Sequence, residues 1–171
     1  LTQWKFRITK YADRLIDDLE VLDWPEETKK KQLSWIGRSN GAEVNFIVPV
    51  ESAHGDLPED TEFDENGNIV LRVFTTRPDT LFGVTYMALA PEHPLSVHLT
   101  EKDKVSEVKK YIQDATKLSE VDRQGSDLKK TGIHTGTFAV NPVNGEEIPI
   151  LIADYVIASY GTGAVMAVPA H

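Results

Sequence analysis

The 171-residue sequence predicts a β-rich α+β fold, barrel-like and preceded by a helical connector. Three observations point there. Short alternating apolar runs recur between Gly, Pro and Asn/Asp turn signals, which is the pattern of an all-β sheet or barrel. One mixed-charge stretch between them carries apolar residues at helical spacing. The first forty residues show helical spacing only.

Trp4, Phe6, Ile8, Tyr11, Leu15, Ile16, Leu19 and Leu22 recur at helical spacing and predict a helix from about Gln3 to Glu20. Pro25-Glu26-Glu27 starts a second helix, with Pro in the first turn and acids at the positive end of the dipole. It runs to about Trp35, and Gly37 stops it. Lys29, Lys30 and Lys31 read as a solvated face, with a nucleic-acid contact as the alternative. Residues 1–40 thus read as a connector and 41–171 as the main domain.

Ala42, Val44, Phe46, Val48 and Val50 alternate as a strand. Ser52 to Asn68 is an acidic loop in which Asn66-Gly67 is a hairpin signal. Ile69 to Thr76 is a strand broken in polarity only by Arg72. Val84 to Ala90 is another. Pro94 to Leu99 suits a short helix, and Glu101 to Leu118, with Val105, Val108 and Ile112 on one face, an amphipathic one. Asp122 to Lys130 is polar and expected to be mobile. Thr135 to Val140 and Glu147 to Ile152 pair around the Pro142-Val143-Asn144-Gly145 turn. Tyr155 to Ile157 and Val165 to Val168 complete the strands, and Gly161 and Gly163 permit a close backbone approach.

The composition is bounded on several sides. The apolar fraction is 40% and no run nears the ~20 residues of a membrane helix, so no membrane partner is expected. The chain has no cysteine, which excludes disulfides and thiolate metal sites. No signal-peptide pattern is present, and a cytoplasmic location is expected. The first residue is Leu1, which suggests a piece of a longer chain. The net charge is −9, and Glu43 to Glu65 holds eight acids with no Lys or Arg. Affinity for a long phosphate backbone comes largely from counterion release, so this chain alone should bind nucleic acid weakly.

The chemistry concentrates at Phe74-Thr75-Thr76-Arg77-Pro78-Asp79-Thr80-Leu81-Phe82-Gly83. Pro78 fixes its own φ and biases Arg77 away from helix, so the strand ends in a rigid bend. Such a bend can aim polar side chains into a pocket. The plainer reading is that Asp79 or Thr80 caps a short turn beginning near Leu81. No Gly-x-Ser-x-Gly elbow is present. Asp79 lacks a twin for aspartic-protease chemistry. His93 and His98 have no second ligand at metal spacing, and no metal site is expected.

Thr75 to Gly83 resembles the threonine-rich motif in the editing domain of bacterial-type leucyl-tRNA synthetases. Tyr160-Gly161-Thr162-Gly163-Ala164-Val165-Met166-Ala167-Val168-Pro169-Ala170-His171 resembles the same family's other pocket wall. Trp35 to Glu43 resembles its entry into the domain, and Asn141 to Gly145 with Ile152 to Val156 a further block. Lys130-Thr131-Gly132 resembles, weakly, a family loop near the substrate end. The main blocks fall in one order and cover most of the chain.

The resemblance implies a small closed β-barrel decorated by helices. It implies hydrolysis of the ester joining isoleucine, valine or norvaline to the terminal adenosine of tRNA(Leu). Thr75, Thr76, Arg77 and Asp79 would act in catalysis. Thr80 would exclude leucine, and Tyr160, Gly161, Thr162, Met166, Val168 and His171 would hold substrate. A carboxylate beyond His171 would anchor the α-amino group. No cofactor is implied here; ATP belongs to a synthetic domain outside this chain. The partners implied are the tRNA acceptor end with its 3′-terminal adenosine and the rest of the synthetase, in a monomer. The related valyl enzyme carries Thr-Thr-Arg-Pro-Glu-Thr, so Asp79 and Met166 favour the leucyl type over the valyl or isoleucyl. Two other readings stay open: a non-catalytic module capturing the acceptor end, and an unrelated β-barrel binding a small ligand.

Overall fold

A computed structural model of the chain describes residues 3–123, 125 and 129–171. It divides into two compact units, Leu1–Asn40 and Gly41–His171.

The first unit holds helix α1 (Ala12–Asp17), flanked by the 3-10 turns Ile8–Tyr11 and Asp18–Val21, and helix α2 (Glu26–Ile36). Arg38 ties back to α1, its Nε 2.9 Å from Asp13 Oδ1 and its Nη2 3.1 Å from Asp17 Oδ1. The continuous helix expected from Gln3 to Glu20 is therefore broken. Helices of this length draw most of their stability from packing an apolar face. Among the described residues here only Leu19 is buried, while Trp4, Phe6 and Ile8 stand exposed. Helix α2 matches its expectation, with Gly37 in the left-handed region at φ 68° closing it through a bond to the Leu33 carbonyl. Lys29 and Lys31 pair with Glu26 and Glu27 along the helix.

The second unit is built on a six-stranded mixed sheet. Its strands are β1 (Ala42–Val48), β2 (Ile69–Thr75), β3 (Tyr86–Leu89), β4 (Gly132–Val140), β5 (Glu147–Ala153) and β6 (Ala164–Ala167). The hydrogen-bonded order is β2-β1-β4-β5-β3-β6. Only β3–β5 is parallel, with Met87 opposite Ile150. The others are antiparallel, including Phe46 opposite Leu71 and Met87 opposite Met166. Alternation along β1, β2 and β5 sends Phe46, Val48, Ile69, Leu71, Val73, Ile150 and Ile152 into one core. Helix α3 (Val105–Ala115) covers that core with Val108, Tyr111 and Ile112. The single turn α4 (Glu120–Arg123) follows.

The expected closed barrel is not formed. β2 and β6 end the strand order at opposite edges, and no ladder joins them. The edges still approach: Thr162 Oγ1, just before β6, donates to the Arg72 carbonyl at 2.6 Å. A side-chain bond therefore stands where a backbone ladder would close the ring. Two further expectations fail. Residues 94–99 are turns, not a helix, with Ser96 and Thr100 hydroxyls bonding the Ala90 and Ser96 carbonyls. Residues 155–157 form a turn because Val156 N–H bonds back to Ala153. Within the mobile stretch expected at Asp122–Lys130, Gln124 and residues 126–128 lie outside the described residues.

Candidate functional site

The polar bend after β2 is bonded mainly to itself. Thr75, half-buried at the strand end, accepts the Arg77 N–H on Oγ1 at 3.0 Å. Arg77 keeps an extended φ of −128°, as a residue before proline must. Its guanidinium forks onto Asp79, Nε to Oδ1 at 3.0 Å and Nη2 to Oδ2 at 2.8 Å. That fork holds the Asp79 carboxyl below the usual carboxylate range, with His171 a minor contributor. Pro78–Gly83 is a 3-10 turn whose N-cap is Arg77, with no side-chain cap bond. Neither Asp79 nor Thr80 is thus the cap acceptor that the plainer reading expected. Instead the Thr80 hydroxyl donates to the Arg77 carbonyl at 2.9 Å. Thr76 is exposed.

The turn is anchored below. Leu81 is buried, and its carbonyl accepts Asn141 Nδ2 at 2.8 Å. Asn141 is fully buried at the β4–β5 turn, and its Oδ1 also accepts the Val143 N–H. In the sequence it only opens a block that resembles the family, just before the Pro142–Gly145 turn, and nothing local shows that its partner lies sixty residues upstream.

The opposite wall runs from Tyr160 to His171. Tyr160 is exposed between Ile157 and the two left-handed glycines, Gly161 at φ 59° and Gly163 at φ 71°. Met166 and Val168 are half-buried against the core. His171 is exposed, its N–H bonded to the Val168 carbonyl. Loop and wall meet at three places. A Cβ on Gly83 would sit 3.2 Å from Val168 Cγ1. A Cβ on Gly161 would sit 3.4 Å from Phe74 Cβ. Thr85 N–H bonds the Ala167 carbonyl at 3.0 Å.

The structure therefore joins Thr75, Arg77, Asp79 and Thr80 directly, and brings Thr162, Val168 and His171 to the same edge. Three cavities of about 230, 370 and 330 Å³ lie elsewhere, and none is lined by Thr75–Thr80. Thr162 lines the third, with Arg72, Thr61 and His93. Among the described residues no group of three His, Asp or Glu side chains is placed to hold a metal ion.

Sequence reasoning missed Glu120 and set His93 aside as an ordinary surface or packing residue. Glu120 on α4 accepts the N–H groups of Ala158 and Ser159 and the Ser159 hydroxyl, and these bonds hold its carboxyl below the usual range. His93 packs its ring against Gly163, and burial pushes its pKa down to about 4.

Comparison with known proteins identifies the family. A family model described as leucyl-tRNA synthetase, editing domain, matches residues 33–171. The chain is 53% identical to a leucine–tRNA ligase of Roseiflexus castenholzii, over 100% of the chain and 18% of that protein. It is 46% identical to the leucine–tRNA ligase of Chlorobium phaeobacteroides, over 100% of the chain and 19% of that protein. A crystal structure of an Agrobacterium radiobacter LeuRS–tRNA–LeuAMS ternary complex superposes with a TM-score of 0.72 at 41% identity, covering 98% of this chain and 18% of that one. The chain thus spans about a fifth of the length of the curated relatives it matches. Fold and matches together define an aminoacyl-tRNA synthetase domain of the editing type. Within that class, the chain belongs to the leucyl-tRNA synthetase editing-domain family.

Proposed function

We propose that this domain hydrolyses the ester of tRNA(Leu) mischarged with isoleucine, valine or norvaline, and that Thr80 excludes leucine. The observation that carries the reading is the Thr75–Thr80 turn, rigidified by the Arg77–Asp79 fork and flanked by Phe74 and Gly83, which lie against Gly161 and Val168 of the other wall. An aminoacyl ester is already reactive. Its hydrolysis needs a positioned water and donors for the developing oxyanion, with no covalent step. Thr75 Oγ accepts from Arg77, which leaves its O–H proton to orient the water or the ester. The exposed Thr76 hydroxyl serves the same end. Arg77 and Asp79 shape the loop rather than attack.

A second site of this kind answers a limit on selectivity. One methylene in an apolar pocket is worth about 1–3 kcal/mol, a general magnitude for this enzyme class and not one drawn from this structure. The Thr80 hydroxyl is tied to the Arg77 carbonyl, so its γ-methyl is the face left to meet an amino-acid side chain. Leucine's branched δ carbons collide with it; isoleucine, valine and norvaline do not. The acceptor end of tRNA(Leu) is the partner, Tyr160 to Thr162 lie where its adenosine would rest, and the remainder of the synthetase supplies the phosphate contacts.

Deacylation of Ile-tRNA(Leu) and Leu-tRNA(Leu), by the chain and by the ligase that carries it, tests the reading. The native protein should hydrolyse the first and spare the second. Thr80→Ala should destroy Leu-tRNA(Leu), and Thr80→Phe should stop hydrolysis of Ile-tRNA(Leu). An unchanged Leu-tRNA(Leu) half-life in Thr80→Ala refutes the steric role. Binding of the acceptor end without turnover in either form favours a capture module.

A further inference from the structure

The arc Ala158–Gly163 carries the exposed Tyr160 and Gly161 but belongs to no strand. Its own bonds are weak: Tyr160 N–H to Ile157 O at 3.3 Å and Gly163 N–H to Tyr160 O at 3.2 Å. Two left-handed glycines make it conformationally permissive. What holds it comes from outside. At its far end Thr162 bonds Arg72, and the Gly163 carbonyl accepts Ala90 N–H at 2.9 Å. At its near end, the only described side chain gripping it is Glu120. One carboxylate oxygen accepts Ala158 N–H at 3.0 Å and Ser159 N–H at 3.3 Å; the other accepts Ser159 Oγ at 2.5 Å.

The same helical turn has a second grip. Arg123, three residues on and buried, pairs with Glu92, two residues after the Ala90 that anchors Gly163. So α4 holds the arc at its start and reaches the segment that holds its end. The bonded groups lie 38 and 39 residues from Glu120 in sequence, so this is a tertiary device. A charged acceptor serving three donors is also stronger than neutral pairs would be.

We infer that Glu120 is a positioning residue for the editing wall: its carboxylate fixes Tyr160 and Gly161 against the threonine turn without touching substrate. This rests on the editing reading above. Without the grip, the arc must be ordered by the incoming adenosine, so the loss falls on substrate binding and not on the chemical step.

The test compares Glu120→Ala, Glu120→Gln and Ser159→Ala in the ligase that carries the domain. Gln keeps an oxygen for the two amides but offers no acceptor to the Ser159 hydroxyl, and Ser159→Ala removes that one bond alone. Amide exchange across 158–161 should quicken most in Glu120→Ala and least in Ser159→Ala. KM for Ile-tRNA(Leu) deacylation should rise in the same order, about tenfold for Ala, with kcat within about twofold. Unchanged exchange, or faster exchange with unchanged KM, overturns the inference. So does a joint fall of kcat and Tm at constant KM, which marks a purely structural role. Should the native enzyme not deacylate Ile-tRNA(Leu), the editing reading falls. The dissociation constant of a non-hydrolysable aminoacyl-adenosine mimic then replaces KM, and an unchanged value overturns the positioning role as well.

Discussion

Acidification should loosen this domain through His93, before the carboxylates whose pKa is held down by their partners lose their contribution. His93 Nδ1 accepts the Leu95 N–H at 3.2 Å, so the neutral ring carries its proton on Nε2. A second proton on Nδ1 would point at a donor. Burial dominates the shift and lowers the pKa from 6.5 to about 4, with Asp60 pulling weakly the other way. The unfolded ring takes its proton near 6.5 and the folded ring only near 4. The unfolded state therefore binds more protons in that window, and stability falls as pH drops through it. Each pKa unit corresponds to about 1.4 kcal/mol, so the full loss is about 3 kcal/mol, of which about 2 kcal/mol appears between pH 7 and pH 5. Asp64, Asp79, Asp114 and Glu120 are all shifted down, so their stabilisation is lost only at lower pH. Urea denaturation at half-unit steps from pH 7 to 5, for the native chain and His93→Gln, measures the effect. Gln can still accept from Leu95 but cannot charge. All three tryptophans, Trp4, Trp24 and Trp35, lie in the first unit, so their fluorescence follows the wrong body. Exchange of the buried β3 amides at Ala88 and Leu89 is the suitable probe. Equal pH slopes in the two proteins would refute the reasoning.

Two further outcomes follow from the contacts. Asn141→Ala strands the buried Leu81 carbonyl and should cost about 1–3 kcal/mol in urea unfolding, with faster exchange in the Thr80–Gly83 turn; a change under about 0.5 kcal/mol would mean that water replaces the amide. Gly163→Ala and Gly67→Ala both force a side chain into positive φ, at about 1–2 kcal/mol. Only at Gly163 would the new Cβ press on neighbours, 3.3 Å from His93 Cδ2 and 3.4 Å from Ala158 Cα. Its Tm should fall further than that of Gly67→Ala, which meets nothing within 4 Å, and equal losses would show that the His93 contact yields freely.

What the sequence made legible was local. Alternation marked β1, β2, β4 and β5, because each buries one face against a single core. Pro78 marked the bend, because its ring acts on its neighbours regardless of the fold. The failures share a cause. Tyr155-Val156-Ile157 has a strand's residue types, yet Asp154 just before it accepts Thr131 N–H and Oγ1, and the chain turns there. Residues 94–99 have helical spacing, but the buried Ser96 hydroxyl bonds back to the Ala90 carbonyl and the Thr100 hydroxyl takes the Ser96 carbonyl. At 155–157 a contact 23 residues away in sequence overrides the local preference, and at 94–99 side-chain hydroxyls compete with the backbone for its carbonyls. Thr80 fits as a cap candidate, yet its hydroxyl turns back within the turn and acts as a donor to the Arg77 carbonyl.

The unclosed seam and the site have one origin. The threonine turn leaves β2 and the glycine arc enters β6, strands at opposite ends of the hydrogen-bonded order. Had a ladder closed the ring, these segments would be locked at the strand spacing of about 4.8 Å and their backbone groups bonded to each other. An open seam, stitched by Thr162 to Arg72, leaves their separation to side chains and to the anchors behind them. The cations at this seam are already matched: Arg72 by Glu43 and Glu62, Arg77 by Asp79. On a chain of net charge −9, that pairing leaves little for a phosphate backbone. On the editing reading proposed above, recognition at the seam would rest on shape and on hydrogen bonds to one nucleoside and its amino acid. On that reading the Thr80 methyl would decide between substrates by shape, because attraction for tRNA is common to correct and incorrect esters and cannot tell them apart.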